Sequence, residues 1–161
     1  MDILDLATSL LDLHPHAKIL FVHAGENDVD QDRLNHTPTN YSQIFAEIQE
    51  KLNSFQANSP SNLKIFFLPP FHRYKWPPGA AIRDPTLYAV YSTRCYRLKD
   101  ILYQASQRFP EKVILMDVLR LTALRKHFAA DGVHFNGEGF HRYCQYILQH
   151  ARRIMGDTWA K

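Results

Sequence analysis

The chain has 161 residues, of which 45% are hydrophobic, 12% aromatic and 22% charged. That composition excludes disorder and suits one domain that buries roughly 70% of the surface its unfolded form exposes. Nineteen basic against 16 acidic residues leave a net charge of only +3, too small by itself to indicate a nucleic-acid partner. No apolar run approaches the ~20 residues needed to cross a bilayer. The acidic start Met1-Asp2-Ile3-Leu4-Asp5 is unlike a signal peptide, so the expectation is a cytoplasmic single domain spanning residues 1–161.

Ile3, Leu6, Ala7, Leu10, Leu11 and Leu13 fall mostly at helical spacing and predict an opening amphipathic helix that ends at His14-Pro15. Lys18 to Ala24 is a short, almost continuously apolar run, the pattern of a strand covered on both faces in a parallel sheet. It leads directly into Gly25-Glu26-Asn27-Asp28. After a polar stretch, Tyr41, Ile44, Phe45, Ile48, Leu52 and Phe55 mark one face of a second helix, closed by the Asn58-Ser59-Pro60-Ser61-Asn62 cluster. Leu63 to Leu68 is a second strand, stopped by Pro69-Pro70.

The segment from Phe71 to Pro85 is too rich in proline for a helix and too long for a tight turn, and it reads as a functional loop at the sheet rim. A long helix then runs through Tyr88, Tyr91, Cys95, Leu98, Ile101, Leu102, Ala105 and Phe109 to Pro110, followed by a third strand at Val113 to Met116. After Asp131-Gly132-Val133-His134, a last helix carries Phe140, Tyr143, Cys144, Ile147, Leu148, Ala151 and Ile154. Alternating helix and strand predicts a doubly wound α/β sheet of about three parallel strands, whose chemistry gathers at the strands' carboxyl ends.

Two motifs carry that chemistry. A Gly directly after a buried strand permits a tight turn, and Asn27 two residues later can aim an amide donor above the sheet. Asp131 three residues before His134 can accept from Nδ1–H, fix the tautomer and leave Nε2 as a general base. Each motif alone is also an ordinary turn or cap, Asn136 being a capping residue. Together, with Gly137 or Gly139 opening the last helix, they are far more specific.

On these residues the chain resembles the SGNH hydrolase superfamily, the GDSL-type lipases and esterases, whose third block is G-x-N-D after a parallel strand and whose fifth is D-x-x-H before the C-terminal helix. Ile19 to Val29 and Ala130 to Asn136 look like those blocks, and the order of elements matches from Asp2 to about Ile154. The resemblance implies a three-layer α/β/α, flavodoxin-like fold. It also implies Asn27 as an oxyanion donor with Gly25 at its turn, His134 as base, Asp131 as its orienting partner, and a small ester or acyl substrate.

The family's first block, a strand ending in G-D-S that supplies the nucleophile, has no counterpart in these 161 residues, nor does the second block's glycine. Ser9, Ser42, Ser54, Ser92 and Ser106 fall on predicted helices, and Ser59 and Ser61 in a turn, so none follows a strand at the reactive rim. Loss of a serine nucleophile costs about 10⁶ in kcat. The expectation is therefore a hydrolase-like domain, incomplete at its N-terminus and inactive, with a non-catalytic binding module bearing a relic site as the alternative.

Phe71, His72, Tyr74 and Trp76 are expected to shape a substrate pocket rather than to bind nucleic acid. Nine histidines raise the question of a metal, but His14, His16, His127, His134 and His141 lack paired cysteines or H-E-x-x-H spacing. Neither metal nor cofactor is expected. Cys95 and Cys144 read as reduced core thiols.

In the family's sheet the nucleophile strand flanks the strand before G-x-N-D, so without it the run from Ile19 to Ala24 is an apolar edge that invites self-association. Light scattering on the purified chain is expected to show dimers or larger species. A monodisperse monomer with a cooperative melt contradicts that expectation.

Overall fold

Short apolar runs and helically spaced apolar residues settle into the expected alternation of strand and helix. The computed structural model describes residues 3–25, 41–70, 85–118, 125–130 and 134–156. Among them are helices α1 (Ile3–Leu13), α2 (Tyr41–Asn58), α3 (Pro85–Arg108) and α4 (Gly137–Met155), and strands β1 (Ile19–His23), β2 (Lys64–Leu68) and β3 (Val113–Leu115). A 3₁₀ turn, Arg125–His127, precedes α4. The fold is α/β, with one parallel sheet ordered β1-β2-β3.

Register is explicit: Ile19 stands opposite Lys64 and His23 opposite Leu68, while Ile65 stands opposite Val113 and Phe67 opposite Leu115. Because both pairings are parallel, the carboxyl ends of all three strands share one rim. Alternate side chains of β2 go to opposite faces. Ile65 and Phe67 join Val22, Val113 and the buried faces of α1, α2 and α3, whereas Phe66 and Leu68 join Met116, Val118 and the Tyr143 and Ala151 face of α4. Helices thus cover both faces of the sheet, and burying each large apolar side chain contributes about 1.5–3 kcal/mol.

β1 is an edge strand of the described sheet, the position expected of the Ile19 to Ala24 run. Its side chains meet both cores, Leu20 one and Ile19 the other, but only Val22 is buried, and Phe21 remains 36% exposed although its ring stacks on Phe66 at 5.1 Å. Two helices bury less of their apolar surface than their spacing suggests. In α1, Ala7 is buried and Leu4 and Leu11 pack on the core, while Ile3, Leu6, Leu10 and Leu13 face outward. In α4, Phe140, Leu148 and Ile154 are likewise exposed. Helical spacing marks more apolar positions on these helices than the core takes in.

Neither Cys95, which is buried, nor Cys144, which is partly buried, forms a disulfide. No helix among the described residues is long and apolar enough to cross a membrane.

A buried cation fastens the second helix to the third strand. Lys112, just before β3, is buried, and its Nζ donates to the carbonyls of Gln56 at 2.7 Å and Ser59 at 2.5 Å. Those carbonyls belong to the end of α2, where backbone acceptors lack helical partners and the helix dipole favours a positive charge. Burial lowers the Lys112 pKa, with neighbouring Glu111 opposing that shift. Lys112→Met should therefore cost about 1–3 kcal/mol in chemical denaturation by leaving two carbonyls without their donor. In the window below the ordinary lysine value of 10.5, the unfolded state binds more protons than the folded one, so wild-type stability rises with pH there. The gap to the methionine variant, which lacks that titration, is expected to widen as pH rises toward 10; a gap that narrows contradicts this sign.

Candidate active site at the carboxyl rim of the sheet

Two residues beyond β1, Gly25 holds φ at 98°, in the region that L side chains rarely adopt. Space gives a second reason for glycine here: a Cβ would collide with the side chain of Leu98 on α3 and lie 3.7 Å from Pro70 Cγ. The turn that opens the G-E-N-D motif is thus pressed against α3 and against the proline that ends β2.

The His134 loop is built from backbone pairing and one amide side chain. Phe128 and Phe135 form an isolated antiparallel bridge, Ala129 N–H donates to the His134 carbonyl at 2.8 Å, and Asn136 N–H donates to the His127 carbonyl at 3.0 Å. Asn136 then caps α4: its side-chain oxygen accepts from Gly139 N–H at 3.0 Å. Its Nδ2 donates back to the carbonyls of Lys126 at 2.6 Å and Phe128 at 3.2 Å. A Cβ on Gly139 would collide with the His127 carbonyl, so the first turn of α4 sits directly on the loop's backbone. His127 is buried, with Nε2 3.5 Å from Glu138. Lys126 holds the Glu138 carboxyl below its ordinary pKa, chiefly through their hydrogen bond; this exposed pair contributes little stability.

Contacts between side chains join the two segments. His23, the last residue of β1, has Nδ1 2.5 Å from the hydroxyl of Tyr143 on α4. The Tyr143 ring lies 5.7 Å from that of Phe135, next to His134, and Phe135 lies 5.1 Å from Phe128. The third strand adds an ion pair at the same rim: Asp117 is held by Lys99 of α3 at 2.7 Å, and its carbonyl accepts from Tyr146 of α4 at 2.9 Å.

Of the residues singled out in the sequence, Gly25 and His134 are described, and His134 is exposed. Asn27, Asp131, Phe71, His72, Tyr74 and Trp76 lie outside the described residues. Ser9, Ser54, Ser92 and Ser106 sit on helices and Ser59 just beyond α2. Ser9, Ser59 and Ser106 hydroxyls donate to carbonyls of Asp5, Gln56 and Tyr103 in their own segments, which is the behaviour of helix-surface and turn serines. No group of three or more metal-ligating side chains occurs among the described residues.

Sequence reading missed His23, Tyr143, Lys99 and Asp117. His23 carried a signal, as the only imidazole in an otherwise apolar strand; Tyr143 was hidden in the core-facing stripe of α4. No protein-family model and no curated protein matches this chain.

Asn136→Ala should cost about 2 kcal/mol in urea or guanidinium unfolding, near the top of the usual range for a lost N-cap, because two loop carbonyls lose their donor as well. Asn136→Asp keeps the cap acceptor but sets a carboxylate against the Lys126 and Phe128 carbonyls, so it too should destabilise. An aspartate variant as stable as wild type shows that the two Nδ2 bonds contribute nothing.

Proposed function

We propose that this chain is an SGNH hydrolase-like domain of three-layer, flavodoxin-like type, carrying the oxyanion and base segments of a serine esterase. The observation that supports it most is the convergence at one rim: the strand that delivers Gly25 and the loop that carries His134 are tied to each other through His23, Tyr143 and Phe135. In this reading Asn27 donates to the developing oxyanion, Asp131 orients His134, and His134 takes the proton of an attacking hydroxyl.

A nucleophile is what the reading lacks. The serines whose hydroxyls bond within their own helix or turn are poorly placed to attack, and covalent catalysis needs the hydroxyl within hydrogen-bond reach of the base. The chain is therefore proposed to be inert toward esters by itself. The absence of Gly-Asp-Ser from the 161 residues also favours a second reading, a non-catalytic module that binds small acyl or ester compounds in the relic site.

Hydrolysis of p-nitrophenyl acetate distinguishes them. The 161-residue chain should show no turnover that His134→Ala removes. If the coding sequence upstream holds an in-frame strand ending in Gly-Asp-Ser, the extended protein should hydrolyse the ester, and His134→Ala should reduce kcat by about 10⁴-fold or more. An extended protein that is also inert toward longer acyl chains favours the binding module, whereas His134-dependent turnover by the short chain refutes the proposed inactivity.

A further inference from the structure

Tyr143 lies in the second turn of α4 and is only 8% exposed. It touches both halves of the site: its hydroxyl meets His23 at the end of β1, and its ring meets Phe135 beside His134. We propose that Tyr143 is a positioning residue, whose hydroxyl donates to Nδ1 of His23 and fixes that ring as the Nε2–H tautomer, while its ring sets the His134 loop against the end of β1. The inference rests on the reading that the Gly25 and His134 segments form one site.

Three observations carry it. First, the hydroxyl-to-Nδ1 separation is 2.5 Å, and of the two groups the phenol is the natural donor. Burial, with a smaller contribution from Cys144, raises the Tyr143 pKa, so the hydroxyl keeps its proton. A neutral imidazole has one donor and one acceptor nitrogen, so acceptance at Nδ1 places the proton on Nε2.

Second, a purely apolar role would be filled by phenylalanine at no desolvation cost. Elsewhere on the same face α4 packs with Ile147 and Ala151, and a buried hydroxyl is retained without penalty only where its bond is made. Third, the rings of His23 and Tyr143 are 5.4 Å apart and tilted by 34°. The tilted ring contact and the hydrogen bond together restrict rotation of the imidazole about its own axis as well as its distance from α4.

A fixed tautomer has a functional consequence. His23 stands two residues before Gly25, and its Nε2–H becomes a neutral donor of constant orientation beside the proposed oxyanion segment. A second, weaker link runs through Phe135, so one side chain of α4 bears on both the end of β1 and the His134 loop.

The test uses the full chain, uniformly labelled with ¹⁵N, and two-bond ¹H–¹⁵N imidazole spectra at a pH where histidines are neutral, with His23 assigned by His23→Gln. Wild type should show the Nε2–H pattern at His23. Tyr143→Phe should replace it with a mixture of both tautomers while the far-ultraviolet circular dichroism stays unchanged. Tyr143→Leu should in addition shift the His134 and Phe135 signals.

An Nδ1–H pattern in wild type, or an unchanged His23 pattern in Tyr143→Phe, overturns the hydrogen-bond assignment. Unmoved His134 and Phe135 signals in Tyr143→Leu overturn the coupling. Should Tyr143→Phe not fold, the wild-type tautomer decides alone. Failure of the hydrolase reading would appear in the ester assay and leave these spectra as they are, so the two outcomes are separable.

Discussion

Strand β2 has to serve two cores at once, and the arrangement of the other elements follows from that constraint. Its five residues are intermediate to fully buried, with alternate side chains committed to opposite layers. Ile65 and Phe67 call for apolar partners on the side where α1, α2 and α3 lie, and Phe66 and Leu68 call for partners on the side of α4. A one-residue slip would exchange the two sets and spoil both layers together. The parallel register that results is what places His23, Pro69 and Asp117 at a single rim. The make-up of that rim is a by-product of packing in the middle of the sheet.

The loop before α4 is held in a different way. Apolar burial supplies Phe128 and Phe135, but the described part of the loop is set by polar groups: the backbone pairing of Ala129 with His134 and of His127 with Asn136, and the Asn136 amide, which uses both its acceptor and its donors. Such directional bonds fix the course of the backbone on either side of the exposed His134, which hydrophobic contact alone, being non-directional, would not do. Such a loop is cheap in residues and intolerant of change at the few positions that close it.

Much of this was legible in the sequence because it is written in period and punctuation. A short apolar run stopped by Pro69-Pro70 located β2 and helical spacing located α2, α3 and α4, while Gly25 and Asn136 marked the strand exit and the helix start for reasons that the backbone φ and the cap bonds bear out. What stayed hidden depends on which elements become neighbours. The outward leucines of α1 are one instance, since only Leu4, Ala7 and Leu11 of that helix meet the core. Which stripe is buried is not a property of the local pattern. Tyr143 is the sharpest case: in sequence it is one more apolar-stripe aromatic, and only the fold brings its hydroxyl to a histidine 120 positions away. Lys112 is similar, a charge that ordinary patterning assigns to solvent and that the end of α2 draws inward.

The contact between Gly139 and the His127 carbonyl has a mechanical meaning. The helix backbone rests directly on the loop backbone at Gly139, so no side chain of that residue cushions one against the other. Helix α4 thereby links the His134 loop to the row Tyr143, Ile147 and Ala151 seated on the sheet. A substitution that lifts the far end of the helix by a fraction of an ångström would be felt at the imidazole as a change of place. Residues remote from the rim in both sequence and space thereby share in setting its geometry.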